Sequence, residues 1–516
     1  MIKILTKFSL LLISTLVLII IYLSSIGINT NKFNQKIKNQ ISNLNPKIEL
    51  DLKDIKFLLN PFSFSVSIKT TGTSVKIGNE KIELEFIKFN LLLKSIINKN
   101  FLIDDLKLST KLIKLKDIVS ISRSLEDTVE LFLISKVIKE GSLMADINLR
   151  FDENGNFKDD YKIKGFIKNA KLKFLENNTF ENLDFLFNIE NKEYKLGDIQ
   201  GKYNDVNILP SVIKIQKKDN YFHVDGKLLS EEKNINVNLL NQKFNNFFKD
   251  RNIRQIILSS SNNFSFLINK KFKIKDLIIK SDITLNKLVY IVKSPAIKKY
   301  FNNLKEKIEL IDHRISLIYK KDFFDITGKG KLSFEDISDK LSYKITKQKD
   351  TSKIKLNINF DKNQIHLNSL AYIKKRNSNS NLIIDGIYKK NDSFLIKELS
   401  FKENKNSFLV KDLNLNKNLK ISAVKSIKLH YINEHEIHNK ISINKNKKDY
   451  QIQGESFDIS KLIDELSNDD SKSSISNNFN SKINIDILKT YLDKKPFVNN
   501  AVSYTHLRAH ETLMNL

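Results

Sequence analysis

The chain has 516 residues, with 87 Lys plus Arg against 59 Asp plus Glu, a formal net charge of +28, 34 Phe, and neither Cys nor Trp. Without cysteine, a disulfide-stapled scaffold, a cysteine zinc site and a thiol enzyme are excluded. Only 5 Pro and 13 Gly beside so many Ile and Phe argue against wholesale disorder. At about 150 residues per domain the length allows three or four domains. Eighty of the 87 basic residues are Lys. Lys, Asn and Ile share A/T-rich codons, so the charge is read first as codon bias and only second as an anion-binding surface.

Residues 1–7 form a short N-terminus carrying Lys3 and Lys7, and residues 8–26 carry no charge. At a rise of about 1.5 Å per residue this run is about 28 Å long, enough to cross a bilayer core. A cleaved signal peptide has a shorter apolar region of about 7–15 residues, so an uncleaved transmembrane signal anchor is expected. Lys32, Lys36 and Lys38 in the juxtamembrane segment 27–45 balance Lys3 and Lys7, so charge does not set the orientation. The very large C-terminal part favours a cytoplasmic N-terminus.

From Pro46 the dominant period is two. In an N-terminal β module, 46–116, Phe62, Phe64, Val66 and Ile68 alternate with serines, and Ile82, Leu84 and Phe86 alternate with charges. Such alternation gives each strand one apolar and one wet face. Residues 117–140 change period: Ile118, Ile121, Leu125, Val129, Phe132 and Val137 predict an amphipathic helix. A repetitive β region, 141–466, follows. In it Ile354, Leu356, Ile358 and Phe360 alternate with Lys and Asn. A loose motif ending in Gly recurs at Gly165, Gly226, Gly328, Gly386 and Gly454. Glycine inside a strand marks a bulge or bend, so these positions are expected to set curvature. Asn286 to Leu310 predicts a second helix interrupted at Pro295, and Ile459 to Leu466 a short third. Residues 467–480 read as a polar linker. Ile483, Ile485 and Ile487 alternate again in 481–500. Residues 501–516 hold two His and no Lys. They resemble a translated sequencing adapter, so a C-terminally truncated protein is expected.

Half-apolar strands must hide their apolar faces, either against a second sheet or by curling. About 20–25 strands at about 4.8 Å spacing would make a long sheet. The expected class is mainly β: a long curved antiparallel β-sheet groove with a few amphipathic helices, preceded by one N-terminal transmembrane helix. Such a groove is filled most cheaply by lipid acyl chains, at about 0.8 kcal/mol per buried CH₂. The candidate lipid-groove residues are Phe62, Phe64, Val66, Ile68, Ile354, Leu356, Ile358, Phe360, Ile483, Ile485 and Ile487.

Catalytic signatures are absent from the sequence: no G-x-S-x-G, Walker A loop, H-E-x-x-H or EF-hand loop. No enzyme, cofactor or metal is therefore expected. His430, His435 and His438, with Glu434 and Glu436, fit a solvated hairpin better than a metal site. Gly328-Lys-Gly-Lys331 ends a strand and lacks the following helix a phosphate loop needs.

A single anchor followed by period-two strands resembles the AsmA-like superfamily of Gram-negative envelope proteins, with its YhdP and TamB groups. The likeness lies in the strand Asn60 to Ile68, in IELEFIKFNLLLKSIINKNFLIDDLKLSTKLIKLK after it, in KDYQIQGESFDISKLIDEL (Lys448 to Leu466), and in Ser481 to Val498. The resemblance implies a curved groove in the periplasm, anchored in the inner membrane by residues 8–26, with phospholipids as cargo. It also implies contacts with outer-membrane or envelope proteins through a missing C-terminal half. Two readings stand: a lipid conduit, and an assembly scaffold for outer-membrane proteins that pairs strands with its clients. Nucleic acid is not an expected partner, because the sequence has no basic aromatic stripe.

Overall fold

Residues Ile2–Ser25 form a helix, α1. Its Thr6–Ser25 stretch has a mean hydropathy of 2.4 and is long and apolar enough to cross a membrane. Gly27, at φ +72°, ends it, donating its N–H to Tyr22 O at 3.0 Å. The structure is a computed structural model. It describes residues 2–507 except 93–102, 153–157, 238–251, 293–306, 468–480 and shorter gaps of one to four residues. The chain is mainly β, 72% strand and 12% helix. The division into compact units falls inside the region 141–466: one unit holds 1–231 and 263–276, the other 232–262 and 277–516.

The first unit opens with β1 (Ile28–Thr30), β2 (Ile48–Asp51), β3 (Ile55–Asn60), β4 (Ser65–Thr71), β5 (Ser74–Ile77), β6 (Glu80–Leu92), β7 (Ile103–Thr110) and β8 (Ile113–Lys114). β1 pairs with β3, β3 with β4, β4 with β6 and β6 with β7, all antiparallel. The register sets Phe57, Ile68, Phe89 and Leu106 in one cross-strand row. Leu52, Ile55, Ile68 and Leu91 are the buried centre of that face.

The expected strand Asn60 to Ile68 starts only at Ser65. Asn60 Oδ1 accepts the amides of Phe62 (3.2 Å) and Ser63 (3.3 Å), an Asx turn with Pro61 inside it. Phe64 sits at φ +47°. Phe62 and Phe64 are thus a turn tip, 97% and 72% exposed, and not part of a strand face.

The helix expected over 117–140 is two helices, α2 (Leu115–Leu125) and α3 (Val129–Val137). Thr128 starts the second, its hydroxyl accepting from Leu131 N at 3.3 Å. The strand β9 (Ile138–Arg150) takes over before Glu140.

The strands β9, β10 (Lys162–Phe174), β11 (Asn178–Glu190), β12 (Glu193–Tyr203), β13 (Val206–Lys218) and β14 (Tyr221–Asn234) then form an antiparallel ladder in chain order. A crease crosses it. Asn169, Asn182 and Asp198 adopt left-handed φ near +50°, each at a shift of register. Asn and Asp tolerate that conformation, and each bulge bends its strand. Ala170, Leu183 and Ile199 beside the bulges are buried together with Leu115 of α2. In β13 Pro210 offers no N–H. There buried Ser211 fills in, donating to Leu209 O (2.7 Å) and accepting from Leu229 N (3.0 Å).

The strands β15 (Ile253–Asn269) and β16 (Ile274–Ile291) contribute residues to both units. In the second unit follow β17 (Lys307–Lys320), β18 (Phe323–Phe334), β19 (Ile337–Gln348), β20 (Thr351–Asn359), β21 (Ile365–Leu367), β22 (Tyr372–Lys374), β23 (Ser380–Lys389), β24 (Ser393–Glu403), β25 (Asn406–Asn416), β26 (Ile421–Ala423), β27 (Ser426–Ile432), β28 (His438–Asn446) and β29 (Asp449–Asp458). Helix α4 (Ser460–Ser467), β30 (Ser481–Leu492) and β31 (Lys495–Leu507) complete it.

The helix expected over 286–310 is replaced at both ends by strand. Leu288 pairs with Leu310 and Tyr290 with Ile308 across β16 and β17, while 293–306 lie outside the described residues. The three-residue spacing of Leu288 and Ile291 suits a helix, but tertiary pairing overrides it. The expected third helix matches α4, and the greater part of the expected linker, 468–480, lies outside the described residues. Among the described residues β29 and β30 pair parallel, Tyr450 facing Ile483 and Gly454 facing Ile487, whereas the neighbouring pairs β28–β29 and β30–β31 are antiparallel. A parallel neighbour needs a crossover, and α4 supplies it. The strand β31 continues the ladder antiparallel to β30 as far as Leu507.

Candidate functional site

The register of the second unit turns alternation into rows. One row holds Ile283, Ile315, Gly328, Tyr343, Leu356 and Ile384 on six neighbouring strands. The next holds Leu317, Ile326, Ile345 and Ile354. Further along the same face come Leu341, Ile358 and Leu382, then Phe401 and Phe408. All are apolar, yet their burial differs. Ile358, Phe360, Phe401 and Phe408 are buried in one cluster with Leu332, Phe334 and Tyr431. Ile315, Tyr343, Leu356, Ile384, Ile326, Ile345 and Ile354 are only partly buried. One end of the face has a buried centre at Ile358, Phe360, Phe401 and Phe408, flanked by partly buried Leu341 and Leu382, and the other end is partly buried throughout.

The buried centre meets the connection between β20 and β23, where alternation stops after Phe360. There β21 and β22 form a small hairpin around a 3₁₀ turn at Asn368–Leu370. Tyr372 drives its ring between Phe408 (centroids 4.7 Å), Tyr431 (5.7 Å) and Phe401 (6.3 Å), and its hydroxyl donates to Glu403. Lys374, fully buried, donates to the carbonyls of Asn363 (2.8 Å) and Asp361 (3.1 Å). Burial lowers its pKa, and Asp339, Glu403 and Asp361 pull the other way. Asp339 in turn accepts the amides of Lys362 (2.9 Å) and Asn363 (3.1 Å). The sequence hint was the polar interruption DKNQIHLNSLAYIKKRNSNS, which no periodicity argument turns into a lid.

The turn at Asn433 to Ile437 braces this cap: Glu434 N donates to Ala371 O at 2.8 Å. His435 Nδ1 lies 2.9 Å from Asp458, which also accepts from Asn433 (2.7 Å) and from Ser460 N (3.0 Å) at the start of α4. His430 and His438 are exposed. Among the described residues no three His, Asp or Glu converge to hold a metal ion. His435 is therefore a brace for α4, half-buried where a solvated hairpin was expected.

The candidate groove residues fall into three classes. Ile354, Leu356, Val66, Ile483 and Ile485 lie on strand faces and are partly buried. Ile68, Ile358, Phe360 and Ile487 are buried core. Phe62 and Phe64 are the turn tip. A cleft of about 770 Å³ opens on the opposite, polar face, between Arg314, Lys329, Lys344, Lys355, Asp282 and Ile383. Lys355 pairs there with Asp385 at 3.2 Å and Lys344 with Asp325 at 3.7 Å, so the cleft is a trough between charged side chains.

The recurrent glycines match the expected bulges at Gly386 and Gly454 only, and four of the five have a further role. A Cβ on Gly328 would lie 2.3 Å from Cζ of Tyr343, and one on Gly226 2.3 Å from Cζ of Phe264. Gly165 meets Phe187 at 2.7 Å and Gly386 meets Phe394 at 2.8 Å in the same way. Each is the seat for a ring from the next strand, a known device for glycine in sheets. Gly386 and Gly454 coincide with register shifts, whereas Gly165, Gly226 and Gly328 sit in regular ladder.

The first unit repeats the plan. Ile147, Ile163, Ile189, Tyr194 and Ile215 form a partly buried row across β9 to β13, while Leu115 of α2 closes the face at the crease. No family model, curated protein or solved structure matches the chain.

Proposed function

We propose that this chain is a membrane-anchored lipid carrier whose apolar sheet faces bind phospholipid acyl chains. In this reading α1 holds it in the inner membrane of a Gram-negative cell. The rest works in the periplasm, passing lipid between inner and outer membranes as AsmA-like envelope proteins are expected to do. The observation that carries the reading is the partly buried apolar row Ile283, Ile315, Tyr343, Leu356 and Ile384. A dry sandwich would bury it as deeply as Ile358 and Phe360. Six strands at about 4.8 Å give this row a width of about 24 Å. One acyl chain accounts for about 15 Å, half of a bilayer core. Each CH₂ laid on the row contributes about 0.8 kcal/mol.

The test is native mass spectrometry with lipid extraction on the detergent-exchanged full chain. Phospholipid is expected to co-purify and to fall several-fold in Ile315→Asp/Leu356→Asp, with the β circular dichroism unchanged. Wild-type levels of lipid in that variant would sink the carrier reading. A folded chain without lipid would favour the strand-pairing scaffold.

A further inference from the structure

The first unit places an exposed aromatic tip beside the end of its apolar helix. Gly27 packs on β3: a Cβ there would lie 2.2 Å from Phe57 O and 2.8 Å from a Leu58 methyl. Ile28 pairs with Phe57, and β3 runs antiparallel to β1, so from that point β3 heads back along α1. Asn60 lies three residues on, about 10 Å at about 3.3 Å each. Along a helix that distance spans about six or seven residues, which brings the turn level with Ile20. The helix itself bears this out. Of its residues from Thr6 to Ser25, only Ile20, Leu23 and Ser24, spaced on one face, are partly covered. Phe62 (97% exposed) and Phe64 (72%) thus stand alongside the last turns of the span, with Ile26 and Ile28 exposed nearby.

A second feature lies on the other side of that level. The register sets Lys56, Lys69, Lys88 and Lys107 directly opposite one another across β3, β4, β6 and β7. Like charges in cross-strand register oppose pairing unless anions lie near; Asp105, 3.3 Å from Lys107, is one such anion at the end of the row. Lys56 faces Asn29, two residues beyond Gly27, so the lysine row crosses the sheet just past the helix exit, at headgroup height.

We propose that the β3–β4 turn dips Phe62 and Phe64 into the bilayer that holds α1, at the boundary of headgroups and acyl chains, with the lysine row resting on anionic headgroups. The inference rests on α1 spanning the membrane, and it adds a second point of attachment that fixes how the first unit stands on the surface. Aromatic rings favour that boundary and lysines favour anionic lipid. The occupant is the lipid surface because the tip is continuous with a segment apolar enough to lie in it.

The absence of cysteine from the chain makes the test direct. Single variants Phe62→Cys, Phe64→Cys, Leu16→Cys and Leu112→Cys of the full chain are labelled with an environment-sensitive fluorophore. They are reconstituted in vesicles of phosphatidylcholine and phosphatidylglycerol. Leu16 lies mid-helix. Leu112 is 58% exposed at the other end of β7, so it reports water. Labels at 62 and 64 are expected to shift to the blue and to lose fluorescence to spin-labelled lipid as the label at 16 does, while the label at 112 responds only to iodide. If the label at 16 is quenched by lipid but those at 62 and 64 behave like 112, the turn proposal fails and the anchor stands. If the label at 16 also stays in water, both fall.

Discussion

Gly328 and Tyr343 show how a single position was legible in part. The recurrent glycine was visible in the sequence, but its reason was not, because the ring that needs the space comes from a strand fifteen residues away. Gly328→Ala is expected to cost about 1–3 kcal/mol through overpacking, read by urea denaturation. In a Tyr343→Ala background the cost should largely vanish. Gly197→Ala, where a Cβ meets nothing within 4 Å, should be neutral or slightly stabilising. Equal costs at 328 with and without the ring would refute the seat. Asp458 carries a pH signature. Burial pushes its carboxyl up, but hydrogen bonds from Ser460, His435 and Asn433 outweigh that and hold it below the ordinary value of 3.8. A depressed folded pKa adds stability that is complete above the unfolded value and is lost as pH falls through the folded one. Asp458→Asn is therefore expected to lower stability by about 1–3 kcal/mol at neutral pH and to flatten the acid limb of a pH–melting curve. An unchanged acid limb would mean that other carboxylates carry it.

At the scale of elements, the sequence failed where a local pattern met a nonlocal partner. Leu288 and Ile291 fit a helical stripe, yet β17 takes them into a ladder. The helix of 117–140 was right in kind, but Thr128 divides it. The alternation from Phe62 to Ile68 was real, and an Asx turn at Asn60 cancelled its first half. The crease of β10 to β13 was not foreseen, since single Asn and Asp residues carry no mark of a left-handed φ until neighbouring strands are aligned. Its weakest point is the most testable. Ser211→Ala would strand the part-buried amide of Leu229, at a cost of about 1 kcal/mol. Calorimetry should show that loss, whereas Ser316→Ala, on the exposed polar face, should move the melting temperature little.

For the whole molecule, composition and period were enough for the mainly β class and for the apolar N-terminal helix, because both are long-range averages that single turns do not upset. The division of the apolar faces into more and less buried stretches was not legible: Leu356 and Ile358 are the same kind of residue two positions apart, and Ile358 is buried in a cluster with Ile365 and Tyr372 of the hairpin. That difference predicts opposite phenotypes. Phe360→Ala should cost about 3–5 kcal/mol of stability as a core cavity, measured by denaturant titration. Leu356→Ala should cost well under half of that and should act instead on bound lipid. Similar losses of stability at both positions would mean that the partly buried row is core as well.

The seated rings bear on how anything could travel along these faces. A side chain standing upright on a strand is an obstacle, and a row of them makes a washboard that a flexible chain must climb step by step. Tyr343 and Phe264 lean instead across the bare backbone of Gly328 and Gly226. Their carbon is spread sideways, adding greasy area without height. If the lipid-carrier proposal holds, trading a neighbour's side chain for a reclining ring would lower the friction met by a moving acyl chain and keep the attraction.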